Sequence, residues 1–268
     1  MTEKFTEKQI QEYIKCKNDP VYFINNYVKD IKFDLCTICN ITLYPFQEKM
    51  VKQFNSNRFN LCASSRQSGK TLVTSLYLLH QLIFVDNTNI LIIGYNQQSA
   101  ENILQRLKQI YGNLPNWLRM QITISNRNRF ELENGSRIIS EKFNLSLSRG
   151  QNFNHIFFDE IAFASEENVK QFFECVFPCL SAGRNSKLHL VSTKKNGSYF
   201  NKLIKTHKVG FINRCLEFIR ILFGEKKDPS KWFVSEHNWN VVPGRNKKWK
   251  QEMIDMIGVK AFNEQFQV

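Results

Sequence analysis

The chain has 268 residues, of which 42% are hydrophobic, a mean hydropathy of −0.38 and a formal net charge of +13 at pH 7. That length allows one large domain or a domain with a small appendage, and no apolar run approaches the ~18–20 residues that a membrane-spanning helix needs. The excess of cations favours a polyanionic partner, nucleic acid first, over a membrane surface.

The start, MTEKFTEKQIQEY, is polar and lacks an apolar signal core, which points to the cytosol. Residues 1–30 read as helical, with VYFINNYV as their apolar stretch. Seven cysteines without a secretion signal are expected to be reduced thiols. Cys36 and Cys39 form a single C-x2-C with no second ligand pair for zinc, and Cys175 and Cys179 share one helix face. Both pairs are expected to be buried apolar thiols. A second helix begins near Pro45 and runs through FQEKMVKQF, and FNLCASS is a short strand ending at Ser64. Residues 69–85 are apolar on all sides and predict a buried helix. NILIIGYN predicts a buried strand, and QQSAENILQRLKQIY an amphipathic helix. RFELENGSRIISEKF predicts a hairpin around Asn134-Gly135. HIFFDE is a buried strand ending in two acids, EENVKQFFECVFPCL a helix, and KLHLVST a further strand. Strands alternating with helices predict a mainly parallel α/β sheet flanked by helices, with chemistry at the strand ends. From about 211 the chain turns basic and Pro-containing (KKDPSKW, VVPGRNKKWK) before a helix near 247–257. The expected division is a helical segment over 1–35 belonging to a lid subdomain, a core over 36–210 and a small lid or linker over 211–268.

The segment Ser64-Ser65-Arg66-Gln67-Ser68-Gly69-Lys70-Thr71 follows a strand and opens a helix. Such a turn can cradle phosphates on successive backbone N–H groups, helped by the positive end of the helix. A lysine reaches the β- and γ-phosphates and a hydroxyl ligates Mg²⁺, roles that fit Lys70 and Thr71, while Gly69 permits close backbone approach. Where the general pattern has Gly, this chain has Ser64. Asp159 and Glu160 end the HIFFDE strand. There an Asp can hold Mg²⁺ and the next acid can polarise the attacking water. Adjacent strand residues point to opposite faces, so the two acids need a bend at the strand end to serve one site. Arg66 is a candidate for stabilising charge on the γ-phosphate, and Gln47 for pairing with an adenine edge through its amide. Ser192 and Thr193, at the tip of the KLHLVS strand, are candidates for sensing the γ-phosphate.

Together these segments resemble the ATPase half of the large subunit of tailed-phage terminases. Residues 65–71, SRQSGKT, match that family's variant phosphate loop S-R-Q-x-G-K-T, which has no Gly at the position of Ser64. YPFQ resembles its adenine-contacting motif, which implies that role for Gln47. HIFFDE resembles its magnesium-and-base strand, which implies metal binding by Asp159 with Thr71 and catalysis by Glu160 with Lys70 and Arg66. VSTKKNGSYFNKL resembles its coupling segment, although Lys194-Lys195 replace the usual Pro region and Asn196-Gly197 follow one place late. The nucleotide-binding set so implied is Gln47, Ser65, Arg66, Gln67, Ser68, Gly69, Lys70 and Thr71, with Ser192 and Thr193 coupling.

The resemblance covers about residues 40–268. It implies a P-loop NTPase fold of the RecA-like type and Mg-ATP hydrolysis that drives double-stranded DNA into a procapsid. It also implies a portal protein, a small terminase subunit and a nuclease domain as partners, in a homo-oligomeric ring (a pentamer when active), in the host-cell cytoplasm. Full-length large terminases continue into an RNase H-like nuclease, so no DNA cleavage is expected from these 268 residues. Two alternatives stay open: a related helicase or translocase, and a DNA-binding module switched by nucleotide. Basic stretches at 194–208 and 245–250 are candidate DNA contacts.

Overall fold

Strands that are apolar on both faces need helices on both sides, and the computed structural model has that arrangement. It describes residues 5–32, 37–143, 152–181, 183, 185–208 and 231–268. In chain order the elements are α1 (Glu7–Asn18), α2 (Pro20–Tyr27), β1 (Lys29–Lys32), β2 (Thr37–Asn40), α3 (Pro45–Ser56), β3 (Phe59–Ser64), α4 (Lys70–Phe84), β4 (Asn89–Gly94) and α5 (Gln97–Gly112). There follow β5 (Ile122–Ser125), β6 (Arg129–Leu132), β7 (Arg137–Lys142), β8 (His155–Asp159), α6 (Glu166–Ser181), β9 (Lys187–Ser192), α7 (Tyr199–His207), β10 (Trp232–His237) and α8 (Lys247–Phe266), which is broken at Gly258.

The main sheet has eight strands in the order β10-β3-β9-β8-β4-β7-β6-β5. The six from β10 to β7 run parallel, and β6 and β5 complete it antiparallel. Alternation sorts each strand between two cores. On β8, Phe157 joins Cys62, Ile92 and Val191 under α4 and α5. Its neighbours Ile156 and Phe158 face the other way, onto Val169, Phe172 and Val176 of α6 and onto α7 through Phe200 and Ile204. These two apolar layers fix the central strands between helices, with the strand ends open. Because β9 lies between β3 and β8, the carboxyl ends of three consecutive strands in the sheet carry the phosphate turn, residues 192–193 and the two acids.

The hairpin around Asn134-Gly135 is present, with Gly135 at φ +76° as its turn requires. The sequence reading misses β5, a short and mostly exposed strand, and the antiparallel ribbon β1–β2. Two expected boundaries need correction. Trp232–His237 pairs along the whole length of Phe59–Ser64, so β10 belongs to the core sheet and 211 is no edge of it. The N-terminal helices are likewise part of the core and not of a separate lid. Phe23 packs edge-on to Phe84 at 5.3 Å, and His80 Nε2 donates to the Cys16 carbonyl at 2.8 Å. Of the thiols, Cys179 is buried but Cys39 and Cys175 are half-exposed, and Cys36 lies outside the described residues.

Candidate nucleotide site

The turn after β3 is shaped by two left-handed residues, Gln67 at φ +56° and Gly69 at φ +80°. Gly69 is the N-cap of α4, so the helix begins at Lys70 with its first N–H groups facing the turn. Glycine is needed here for φ, and a Cβ at Gly69 would lie 2.7 Å from Gln47 Nε2 and displace that amide from its place beside the turn. The buried Gln47 spends its amide on the protein. Its Nε2 donates to the Ser68 carbonyl at 2.9 Å, and its Oε1 accepts from Tyr44 N at 3.0 Å. Gln47 thus braces the loop. Ser65 is buried, and its N–H donates to the His237 carbonyl at 2.9 Å. Ser68 Oγ is buried without a hydrogen-bond partner among the described residues. The Arg66 side chain is exposed.

Opposite the turn, β8 ends at Asp159, and Glu160 adopts φ +56°, ψ +37°. A non-glycine residue there costs roughly 1–3 kcal/mol and persists only where its surroundings hold it. Glu160 N donates to the Val191 carbonyl at 2.8 Å, which does so. The bend cancels the strand alternation and brings both acids to one side. Thr71 Oγ1 lies 3.0 and 3.1 Å from the two Asp159 oxygens. Lys70 Nζ lies 2.9 Å from Glu160 Oε1 and 3.0 Å from Thr193 Oγ1. Ser192 Oγ and Thr193 N both donate to Glu160 Oε2, at 3.0 and 3.1 Å. Lys70, Thr71, Asp159, Glu160, Ser192 and Thr193 therefore form one contiguous group.

The two carboxyls are pushed apart. Burial pushes Asp159 up to about 7, and the neighbouring Glu160 charge adds to this while Lys70 opposes it. Burial also pushes Glu160 up, but the Lys70 ammonium and the hydrogen bonds from Lys70, Thr193 and Ser192 outweigh it and hold this carboxyl below its usual range. Asp159 and Thr71 are adjacent hard oxygen donors short of positive charge, a set that fits a hard divalent cation. The orphaned Ser68 hydroxyl and the helix N-terminus fit an anion beside it.

The sequence reading missed Arg245. It lies in one of the stretches expected to meet DNA, yet its guanidinium reaches the phosphate turn, donating to the Arg66 and Gln67 carbonyls at 3.1 Å each. The aromatic spacing of Trp239, Trp249, Phe262 and Phe266 was the signal that this stretch packs. In the other basic stretch, Lys202 pairs with Glu166 at 2.6 Å and Lys208 pairs with Glu236.

The family model described as terminase large subunit, T4likevirus-type, N-terminal, matches residues 61–207, the span from β3 to α7. The chain belongs to the terminase large-subunit family. That membership carries the reading of a viral DNA-packaging ATPase. Solved terminases share the fold. The large terminase ATPase domain of Thermus phage P74-26 is 17% identical with a TM-score of 0.57, over 79% of this chain and 88% of that one. The large terminase of bacteriophage HK97 is 14% identical with a TM-score of 0.64, over 94% of this chain and 54% of that one. The large terminase of another thermophilic bacteriophage, solved in complex with ADP, is 14% identical with a TM-score of 0.58, over 83% of this chain and 52% of that one. This terminase chain thus spans about half the length of the HK97 protein and of the ADP-bound one. The P-loop NTPase fold expected from the sequence is the fold observed.

Proposed function

We propose that residues 65–71 bind the triphosphate of ATP and that this site hydrolyses it to move double-stranded DNA into a procapsid. The observation that carries the proposal is the meeting of the turn with the strand-end acids, Thr71 on Asp159 and Lys70 on Glu160. Asp159 and Thr71 would hold Mg²⁺, which when bound supplies positive charge to offset that of the phosphates. Lys70 exchanges Glu160 for phosphate oxygens when nucleotide enters. Glu160, released from the ammonium, orients the attacking water and accepts its proton. Ser192 and Thr193 stay hydrogen-bonded to Glu160, so they register the change. Arg66, exposed at the mouth of the turn, swings onto the γ-phosphate, and Gln47 contacts the adenine through the donor and acceptor capacity it has left. Catalysis of this kind rests on positioning and electrostatics.

The proposed assembly is a homo-oligomeric ring at the portal with the small terminase subunit, working in the host cytoplasm. No nuclease role is assigned to these residues. Among the described residues no helix is long and apolar enough to cross a membrane. The test is steady-state phosphate release with and without double-stranded DNA, beside a strand-separation assay. Stimulated release without unwinding is the expected result. Unwinding would favour a helicase, and tight ATP binding with no release under any condition would favour a nucleotide switch.

A further inference from the structure

Arg245 lies between β10 and α8, beyond the residues that the family model matches. Its Nη1 is 3.4 Å from Ser65 Oγ and 3.1 Å from the Arg66 carbonyl, and its Nη2 is 3.1 Å from the Gln67 carbonyl. The guanidinium packs on two rings, 4.7 Å from the Trp249 centroid and 5.4 Å from that of Phe266. The same helix takes a further hydrogen bond from the turn, Arg66 N to the Gln265 carbonyl at 2.8 Å.

We propose that Arg245 is a positioning residue that aims the phosphate turn's N–H groups at the triphosphate. The inference rests on the nucleotide reading of residues 65–71. The described peptide bonds are all trans, and in a planar trans unit the carbonyl and the following N–H point in opposite directions. Drawing the Arg66 and Gln67 carbonyls outward onto one cation therefore turns the Gln67 and Ser68 N–H groups inward. Gln67, between the two carbonyls, is itself left-handed at φ +56°. A positive donor on each carbonyl also polarises the attached N–H toward an anion. A rigid planar fork offers one donor to each of two successive carbonyls with its charge over the Trp249 ring, a fixed geometry that lysine's flexible point charge does not reproduce. Trp249 and Phe266 hold the fork in place, which makes the C-terminal helix part of the nucleotide site's scaffold.

The test compares the wild type with Arg245→Lys and Arg245→Ala, measuring ADP and ATP affinity by calorimetry in magnesium buffer, KM and kcat for phosphate release, and the melting temperature. Misaimed donors should weaken nucleotide binding by roughly 10- to 100-fold, with KM rising more than kcat falls, because saturating nucleotide itself organises the turn. Arg245→Lys keeps the charge and the stem and should melt near the wild type, so it carries the test if Arg245→Ala fails to fold. Wild-type affinity in Arg245→Lys, or a loss confined to kcat and melting temperature, would overturn the proposal. A wild-type chain that binds neither nucleotide would instead overturn the nucleotide reading, and this inference with it.

Discussion

Lys70 and Glu160 hold each other across the site, so each has two jobs. Without Lys70, the half-buried Glu160 loses the ammonium that favours its charged form, and the turn loses its cation. Lys70→Ala should therefore abolish turnover and reduce ATP affinity, measured by phosphate release and calorimetry. Glu160→Gln should leave ATP binding intact and remove turnover by about a hundredfold or more, the usual contribution of a positioned base being 10²–10⁴. Normal hydrolysis by that variant would refute the role. That these residues would meet was legible in the sequence, because a lysine and a threonine at a helix start, and two acids at a strand end, have few other reasons to occur together. The left-handed turn at Glu160 was not legible, since nothing in Asp-Glu-Ile demands it. Nor was the loop-bracing contact of Gln47, which depends on how α3 packs beside the turn.

At the scale of elements, the strand-to-helix joints are tight. Gly94 ends β4 where α5 begins, and a Cβ there would lie 2.5 Å from Ala100 N and 2.9 Å from the Asn96 carbonyl. Both neighbours are backbone, so α5 itself would have to move. Gly94→Ala should cost about 1–3 kcal/mol, as overpacking does, and lower the melting temperature with little effect on nucleotide affinity. Phe172, fully buried between Phe143 and Phe158, anchors α6 to the sheet. Phe172→Ala should cost about 3–5 kcal/mol, read by denaturant titration. Strands such as Ile90–Ile93 and Ile156–Phe158 were legible because burial on both faces leaves a continuous apolar run. Trp232–His237 was not, because WFVSEH mixes polar and apolar residues, as befits the edge strand it forms among the described residues, and the basic tail before it suggested an appendage.

Taken whole, the molecule carries four histidines held neutral by burial. His155 is pushed down to about 3, His80 and His237 to about 4, and His189 well below its usual range. Their folded-state values are depressed, so their contribution is complete above the unfolded value of about 6.5 and is lost as pH falls from there toward 3–4. Each contributes a slope of up to about 1.4 kcal/mol per pH unit in that window. Asp159, raised to about 7, opposes them by a single proton, so the four should prevail. The melting temperature should fall steadily from pH 7 to pH 5, and a flat profile would contradict this account. The net charge of +13 is legible at once, and it predicts DNA affinity that declines linearly in log–log with salt. Which cations meet DNA was not legible, because Arg245, Lys202 and Lys208 turn out to be engaged within the protein.

The middle position of β9 has a mechanical corollary. It is laced on both flanks, to β3 from Leu188 to Ser192 and to β8 from Lys187 to Val191. A plank nailed along both sides cannot slide, so any recoil of Glu160 against Ser192 and Thr193 finds no give in the plane of the sheet. On the coupling role proposed for Ser192 and Thr193, the displacement would leave endwise, through residues 194–198 into α7, whose Lys202 pairs with Glu166 at the head of α6. On that proposal the sheet serves as the anvil and the short linker after Thr193 as the push-rod.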